Sequence, residues 1–367
     1  MLTSNDPSIV TTREELERVA GWVADAPLIA VDTEFVREKT YYPKLCLIQL
    51  GTDSHATCID CLAPLDLSAV LDPLFATERT WVLHSARQDL EVIWQLAGQL
   101  PPRLIDTQVA AGLLGYAPQI GLEGLLRTAL DVELGESYAR TDWRRRPLPA
   151  EALEYALDDV RYLLPAWRTL ESRLHDLSRS AWLEEDCTRL LAEPPIADAT
   201  AVWSRLKGVH ALAFDARCAA LSLVRWRELT AQHKDRPRRW ILADEELLSI
   251  ATALPSDKTA LERCAAPRTV AKFGDVLIAA VTDRSEGQIQ DLVRSHQAAP
   301  MPDRATLKAL QAAVRQRAQE LGVEPEIIAT RRDLAVVANG ERPAALGSGW
   351  RAEVLADTLW PREADSE

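Results

Sequence analysis

The sequence predicts an α/β domain followed by an all-helical region. Three observations predict this. Short apolar, strand-like runs alternate with amphipathic helical stretches up to about residue 191. A break rich in proline and small residues, AEPPIADATA, follows at 192–201. Beyond it no run reads convincingly as a strand.

The strands come first. PLIAVDTEF is an apolar run that enters acidic residues, and KLCLIQLG is apolar on both faces, as in a fully covered strand. Residues 55–62 and the run TWVLHSA supply two more. Ser85 followed by Gln88 has the spacing of a capping box opening the helix ARQDLEVIWQLA, which Gly98 closes. Pro149 suits the first position of a helix over AEALEYALDDVRYLL. After the break, residues 203–280 read as four or five short helices, as do residues 286–340, with HQAAPMPD at 296–303 as the break in the helical pattern. The expected division is 1–195, 199–285 and 286–367, and the last residues, PREADSE, are expected to fray.

Composition sets outer limits. At 367 residues, 47% hydrophobic and 26% charged, the chain has the make-up of a globular protein of two or three domains. No apolar run approaches a membrane span, and the N-terminus lacks a basic patch leading into an apolar stretch, so a cytoplasmic protein without membrane attachment is expected. Cys46, Cys58, Cys61, Cys187, Cys218 and Cys264 form no disulfide framework. Cys58 and Cys61 make a CxxC, but no second pair lies nearby and a strand sends them to opposite faces, so buried thiols are expected rather than zinc.

The net charge of −13 is unevenly spread. Up to Asp198 there are 18 basic against 32 acidic residues, a net of −14; from Ala199 to Pro300 the net is +3 and after that −2. Acids are concentrated where they can hold divalent cations. The balance predicts modest, salt-sensitive affinity for a polyanion.

Within the first domain, Asp32 and Glu34 lie two apart on a strand and share a face. Two acids at the end of an apolar strand are costly unless compensated, and a divalent cation would compensate them. A strand running out into a polar loop is the plainer alternative. Asp89 falls in the first turn of a helix, where the dipole favours a carboxylate in any case. Asp159 follows Tyr155 by four residues, so the two share a helix face. Leu153, Leu157, Val160 and Leu164 make that helix's apolar stripe, which places Tyr155 and Asp159 on roughly the opposite side, where a solvated pair is the bland reading.

Taken together, VDTEF, HSARQDL and YALDD resemble the three exonuclease motifs of the DEDD superfamily in its tyrosine-bearing subclass. AVDTEFVREKTYYPKLCLIQL, LIDTQVAAGLLGY, SYARTDWRRRPL and EYALDDVRYLLP are similar to the ribonuclease D family, in order and over nearly all of residues 28–170. The resemblance implies an RNase H-like fold, a mixed central sheet flanked by helices. It implies a 3′→5′ exoribonuclease that uses two divalent ions, Mg²⁺ or Mn²⁺, and no organic cofactor. Asp32, Glu34, Asp89 and Asp159 would be the metal ligands, with Asp159 rather than Asp158 completing the spacing from Tyr155. Tyr155 would orient the attacking water. The substrates implied are RNAs with a free 3′ end, tRNA precursors among them, and a monomer is expected.

Other residues are candidates for RNA contact. His84 precedes the second motif and Phe35 follows the first, though a packed histidine at a strand end is the plainer reading of His84 and core packing explains Phe35 equally simply. Arg144, Arg145 and Arg146 lead toward the catalytic helix, either as phosphate contacts or as a solvated loop. Farther on, LVRWRELTAQHKDRPRRWILADEELLSIATALP resembles the HRDC domain, and LKALQAAVRQRAQELGVEPEIIATRRDL matches it more loosely. The expected architecture is therefore an exonuclease domain followed by two all-α HRDC-like domains. Lys234, Arg236, Arg238 and Arg239 would line a groove for an RNA backbone. A helicase is set aside because no G-x-x-x-x-G-K-[ST] loop occurs. A DNA exonuclease shares the same motifs, and a non-catalytic RNA binder would need a broken carboxylate set.

Overall fold

The computed structural model describes residues 9–138, 140–296 and 302–360. PREADSE and most of HQAAPMPD lie outside them. Two compact units are formed. One contains residues 9–36, 45–195 and 302–360; the other contains 37–44 and 196–296.

Among the described residues, the first unit carries six strands: β1 (Ile9–Val10), β2 (Leu28–Val36), β3 (Lys44–Gly51), β4 (Ala56–Asp60), β5 (Thr80–Leu83) and β6 (Leu104–Asp106). They make one sheet in the order β1-β4-β3-β2-β5-β6. It is mixed: β1–β4, β2–β5 and β5–β6 pair parallel, and β3–β4 antiparallel. The four expected strands are β2 to β5. β1 and β6, with two and three residues, are too short to leave a periodic signal. Among the described residues up to Pro195, eight helices accompany the sheet: α1 (Arg13–Asp25), α2 (Ser68–Leu74), α3 (Arg87–Ala97), α4 (Thr107–Leu113), α5 (Leu122–Leu130), α6 (Ala150–Arg161), α7 (Leu163–Asp176) and α8 (Ser180–Ala192). Gly98 closes α3 at φ 68°, where a side chain would be strained. Pro149 sits one position earlier than expected, as the N-cap of α6.

The second unit holds α9 (Ala199–Ser204), α10 (Phe214–Lys234), α11 (Arg238–Ile241), α12 (Asp244–Ala253), α13 (Lys258–Leu261), α14 (Pro267–Thr282) and α15 (Gly287–Ser295). It is helical, with its own core. α10 is far longer than the short helices expected there. Ala216 to Val224 are buried without a break, so α10 is a central helix with no amphipathic stripe to mark its length.

The remaining helices, α16 (Arg304–Leu321), α17 (Pro325–Ile328), α18 (Arg331–Ala338), α19 (Ala344–Gly347) and α20 (Gly349–Leu359), belong to the α/β unit. Leu307, Val314, Leu334 and Leu355 share one buried cluster with residues of the sheet. Arg179 donates to the carbonyl oxygens of Leu113 and Leu321, and Trp182 stacks on Trp350 with ring centroids 4.4 Å apart. The compact units therefore do not follow the linear 1–195, 199–285, 286–367 division: α15 lies with the helical unit, and residues 302–360 complete the core of the other.

Candidate active site

β2 provides the base of the site. Its alternation places Ala30, Asp32 and Glu34 on one face. α6 covers that face closely because small residues allow it. Ala152 and Ala156 are fully buried, and a Cβ on Gly51 would lie 2.8 Å from the Val160 carbonyl oxygen. The close approach turns Asp159, beside Val160, in toward the strand. Asp32, Glu34 and Asp159 consequently bring carboxylate oxygens within 4.8 Å of one another. No Lys or Arg pairs with these three among the described residues.

The expected face of α6 is corrected here. Asp159 is 9% exposed and is buried together with Ala152, Ala156, Leu157 and Val160, while Leu153 is only partly covered. The helix therefore turns small and acidic residues toward the sheet. The neighbouring acid is handled differently: Asp158 pairs with Arg161, which also holds Glu154 at 2.6 Å.

Asp89 approaches from α3. It is 7% exposed and accepts a hydrogen bond from the Thr33 hydroxyl at 2.5 Å. The expected Ser85 capping box is absent, because Ser85 takes a left-handed backbone (φ 60°) and α3 has no side-chain cap. Asp106, at the end of β6, holds the turn before α3 instead. Its carboxylate accepts from the amides of Ser85 (3.0 Å) and Ala86 (2.8 Å), and also caps α4 through Gln108 (2.8 Å). The signal for this residue was in LIDTQVAAGLLGY, where an acid precedes a helix.

The electrostatics follow from this crowding. Burial, reinforced by Asp89, Asp159 and Glu34, holds the Asp32 carboxyl well above the usual range. Burial and the charges of Asp159 and Asp89 push Glu34 up to about 9. Burial and neighbouring acids raise Asp159 to about 7. Asp89 rises to about 6, burial outweighing the Thr33 hydrogen bond. The donor set is all oxygen and negatively charged, which suits a hard divalent cation. Tyr155 is half-buried near Trp143 and Tyr138, and burial plus the charge of Asp159, Glu34 and Asp32 raises its phenol above its ordinary value. The phenol stays protonated, able both to donate and to accept a hydrogen bond.

The other candidates divide. Both ring nitrogens of His84 are used internally, at 2.9 Å from the Thr107 hydroxyl and 2.9 Å from the Ile120 carbonyl oxygen, which leaves none for a substrate. Phe35 is partly buried at the end of β2, on the strand face opposite Glu34. Arg146 is a structural residue: it grips Asp60 through two 2.6 Å contacts and reaches the Cys46 carbonyl oxygen. Arg144 pairs with Asp142 at 2.7 Å, and Arg145 is exposed. Cys58 is buried in β4 and Cys61 lies just beyond it.

In the helical unit, Arg238 is tied to Glu228 at 3.0 Å, while Lys234 lies over Phe273 and Arg236 is exposed. Arg239 lines a cavity of about 370 Å³ with Trp240, Arg268, Lys272 and Phe273. Trp240 is 58% exposed, and Arg268 and Lys272 share one face of α14 at a spacing of four. The sequence reading missed these three. The signal available was the pair of basic residues at helical spacing in PRTVAKF.

A mixed sheet with acids converging from strand and helix defines this unit as a 3′→5′ exonuclease domain, and a 3′–5′ exonuclease family model matches residues 7–175. An HRDC domain model matches residues 219–281. The chain is 37% identical to the ribonuclease D of Xanthomonas oryzae, over 98% of each chain. It is 34% identical to that of a Jannaschia species, over 96% of this chain and 94% of the relative. The crystal structure of Escherichia coli RNase D, described as an exoribonuclease involved in structured RNA processing, superposes with a TM-score of 0.81 at 29% identity, covering 96% of each chain. The chain belongs to the ribonuclease D family and is a 3′→5′ exoribonuclease. Among the described residues, no helix is long and apolar enough to cross a membrane.

Proposed function

We propose that this exoribonuclease trims 3′ extensions from tRNA precursors and related small RNAs, acting as a cytoplasmic monomer. Asp32, Glu34, Asp89 and Asp159 would hold two divalent cations, Mg²⁺ or Mn²⁺. The observation that carries this reading is the convergence of three carboxylates within 4.8 Å with no cationic partner among the described residues. Like charges so placed need an external cation to be ionised together at neutral pH. When bound, the cations supply charge stabilisation at the phosphate and a more acidic water.

The side chains then have separable tasks. Asp32 and Glu34 are fixed by one rigid strand, and Asp159 by a helix that Gly51 lets close on it. Asp89 is oriented by Thr33. Tyr155, kept protonated, orients the attacking water through its hydroxyl. Water attacks the phosphorus of the terminal linkage, the bond from phosphorus to the preceding 3′ oxygen breaks, and that oxygen takes a proton. A nucleoside 5′-monophosphate leaves and a new 3′ hydroxyl is exposed.

Residues 199–285 would act as the HRDC domain that captures RNA. The exposed Trp240 offers a stacking surface, and Arg268 and Lys272 offer phosphate contacts. Of the segment expected as a second HRDC-like domain, 286–367, residues 302–360 would support the catalytic unit, since helices α16 to α20 share its core.

One digestion panel tests the whole reading: a 3′-extended tRNA precursor, the same RNA with a blocked 3′ end, and matched single-stranded DNA, each with Mn²⁺ and with EDTA. Mononucleotide release from the first substrate alone, abolished by EDTA, is expected. Equal digestion of the blocked RNA, or activity in EDTA, would contradict it.

A further inference from the structure

We propose that Gln49 is a positioning residue of the carboxylate site, orienting Asp32 to receive a divalent cation; this rests on the metal-binding reading of the Asp32, Glu34 and Asp159 cluster. Gln49 lies in β3, the neighbour of β2, and is 0% exposed in a strand otherwise made of apolar side chains beyond its first residue. Its Nε2 donates to Asp32 Oδ2 at 3.4 Å. Its Oε1 is buried without a hydrogen-bond partner. A methionine or leucine would fill the same volume without stranding a polar atom, so for stability alone an amide is a poor choice here.

The chemistry of the pair explains the choice. The amide presents nitrogen to Asp32, since the reverse orientation would set two oxygens against each other. A lysine or arginine at this position would pair with the acids and compete with a metal ion. A neutral amide holds one carboxylate oxygen while leaving the negative charge of the cluster intact, so the other oxygen keeps a fixed direction. Groups of this kind, which touch a ligand but not the metal, set the ligand's geometry and typically change metal affinity by about 10–100-fold.

The test uses the full-length chain and Mn²⁺ alone, with binding measured by calorimetry in the absence of RNA. Gln49→Met keeps the volume and removes the donor. The Mn²⁺ dissociation constant is expected to rise at least about tenfold. The Mn²⁺ concentration for half-maximal single-turnover cleavage should rise in parallel, with the plateau rate changing far less. The melting temperature in EDTA should hold or increase, because a stranded polar atom is gone. A purely structural role would do the reverse, lowering the melting temperature and leaving Mn²⁺ affinity alone. If Gln49→Met does not fold, Gln49→Asn, which keeps the amide but shortens its reach, is read by the same criteria. An Mn²⁺ dissociation constant within twofold of the unsubstituted chain overturns the inference. Asp32→Asn run alongside separates the two levels. If it abolishes Mn²⁺ binding while the Gln49 variants do not, the role of Gln49 alone is lost. If it too binds Mn²⁺ normally, the metal-site reading is lost with it.

Discussion

In the helical unit, the carboxylate of Glu228 is 3% exposed; it meets Arg238 at 3.0 Å and accepts a hydrogen bond from the Tyr41 hydroxyl at 3.0 Å. Arg227 beside it is fully buried and reaches Asp244 at 2.6 Å. In the α/β unit, Asp32, Glu34 and Asp159 are crowded within 4.8 Å, but with one another, and among the described residues no arginine or lysine answers them. Burying a charge is costly in both places. The helical unit meets that cost with partners from its own chain, so its ion pairs are architecture. The α/β unit leaves it unmet until something arrives from outside, which marks a site. Substitutions that remove acids from each unit should therefore have opposite effects.

The largest effect is expected at the uncompensated acids. Asp32→Asn or Asp159→Asn should lower kcat by more than about 10³-fold, since several kcal/mol of charge stabilisation would depend on the cations proposed to bind there. The same variants should melt at an equal or higher temperature in EDTA, because each removes one of a set of repelling charges. Near-normal rates at saturating Mn²⁺ for both variants would put the site elsewhere.

Glu228→Ala should behave in the opposite way. Removing it takes the partner from Arg238 and leaves the buried Arg227 with Asp244 alone, a loss of about 3 kcal/mol, the lower end for a buried pair. Urea unfolding followed by circular dichroism should show that loss, while calorimetry shows unchanged Mn²⁺ affinity. A stable Glu228→Ala chain would mean that the helical unit's ion pairs do not carry the weight assigned to them.

Tyr155→Phe comes next. It removes one hydroxyl and no charge, so the loss should fall in kcat, by about 10²-fold, with KM nearly constant. An unchanged kcat with a raised KM would make Tyr155 a substrate-binding residue.

What the sequence made legible follows the same division between local and distant causes. Asp32 and Glu34 could be placed on one face because strand alternation depends only on their spacing of two. The burial of Asp159 could not, because it depends on Gly51, a hundred residues earlier, giving α6 room to close on the sheet. Ser85 looked like a cap by local spacing, yet α3 has no side-chain cap and the turn before it is held by Asp106 from another strand. Arg146 looked like part of a free basic run, and Asp60 claims it. The hardest feature was the return of residues 302–360 into the first unit: helical periodicity marks an apolar face but does not name the face that will cover it.

The crowded acids also predict a pH dependence with a definite sign. Glu34, Asp159 and Asp89 have folded-state values of about 9, 7 and 6, all above those of unfolded carboxyls near 4. Between the unfolded and folded values the native state binds more protons than the unfolded chain. Stability from these groups is therefore present at low pH and is lost as pH rises from about 4 through 6 to 9. In EDTA the melting temperature should decline across that window; with saturating Mn²⁺ the decline should flatten, because the cation replaces the protons. A melting temperature in EDTA that rises steadily from pH 5 to 9 would contradict the crowding.

The smallest expected effect lies on the exposed surface of the helical unit, where charges are neither buried nor crowded. Truncation after Pro195 is a poor test of that unit, since it also removes Leu307, Val314 and Leu355 from the catalytic core. Surface substitutions avoid the problem. Arg268 and Lys272 are exposed and line the cavity beside Trp240, so replacing both by alanine should leave folding and kcat unchanged. If each contacts one phosphate of a single-stranded 3′ extension, the double variant loses two counterion-releasing contacts. The slope of log KM against log salt should then flatten by about 1.4, and KM at low salt should rise several-fold. The effect should be larger for tRNA precursors than for short oligonucleotides, because only a long substrate can occupy a second contact surface while its 3′ end is in the active site. A double variant with the salt slope of the unsubstituted chain would show that RNA does not touch this face. The contrast would then be complete in a different sense, with charge in the helical unit serving its own architecture alone.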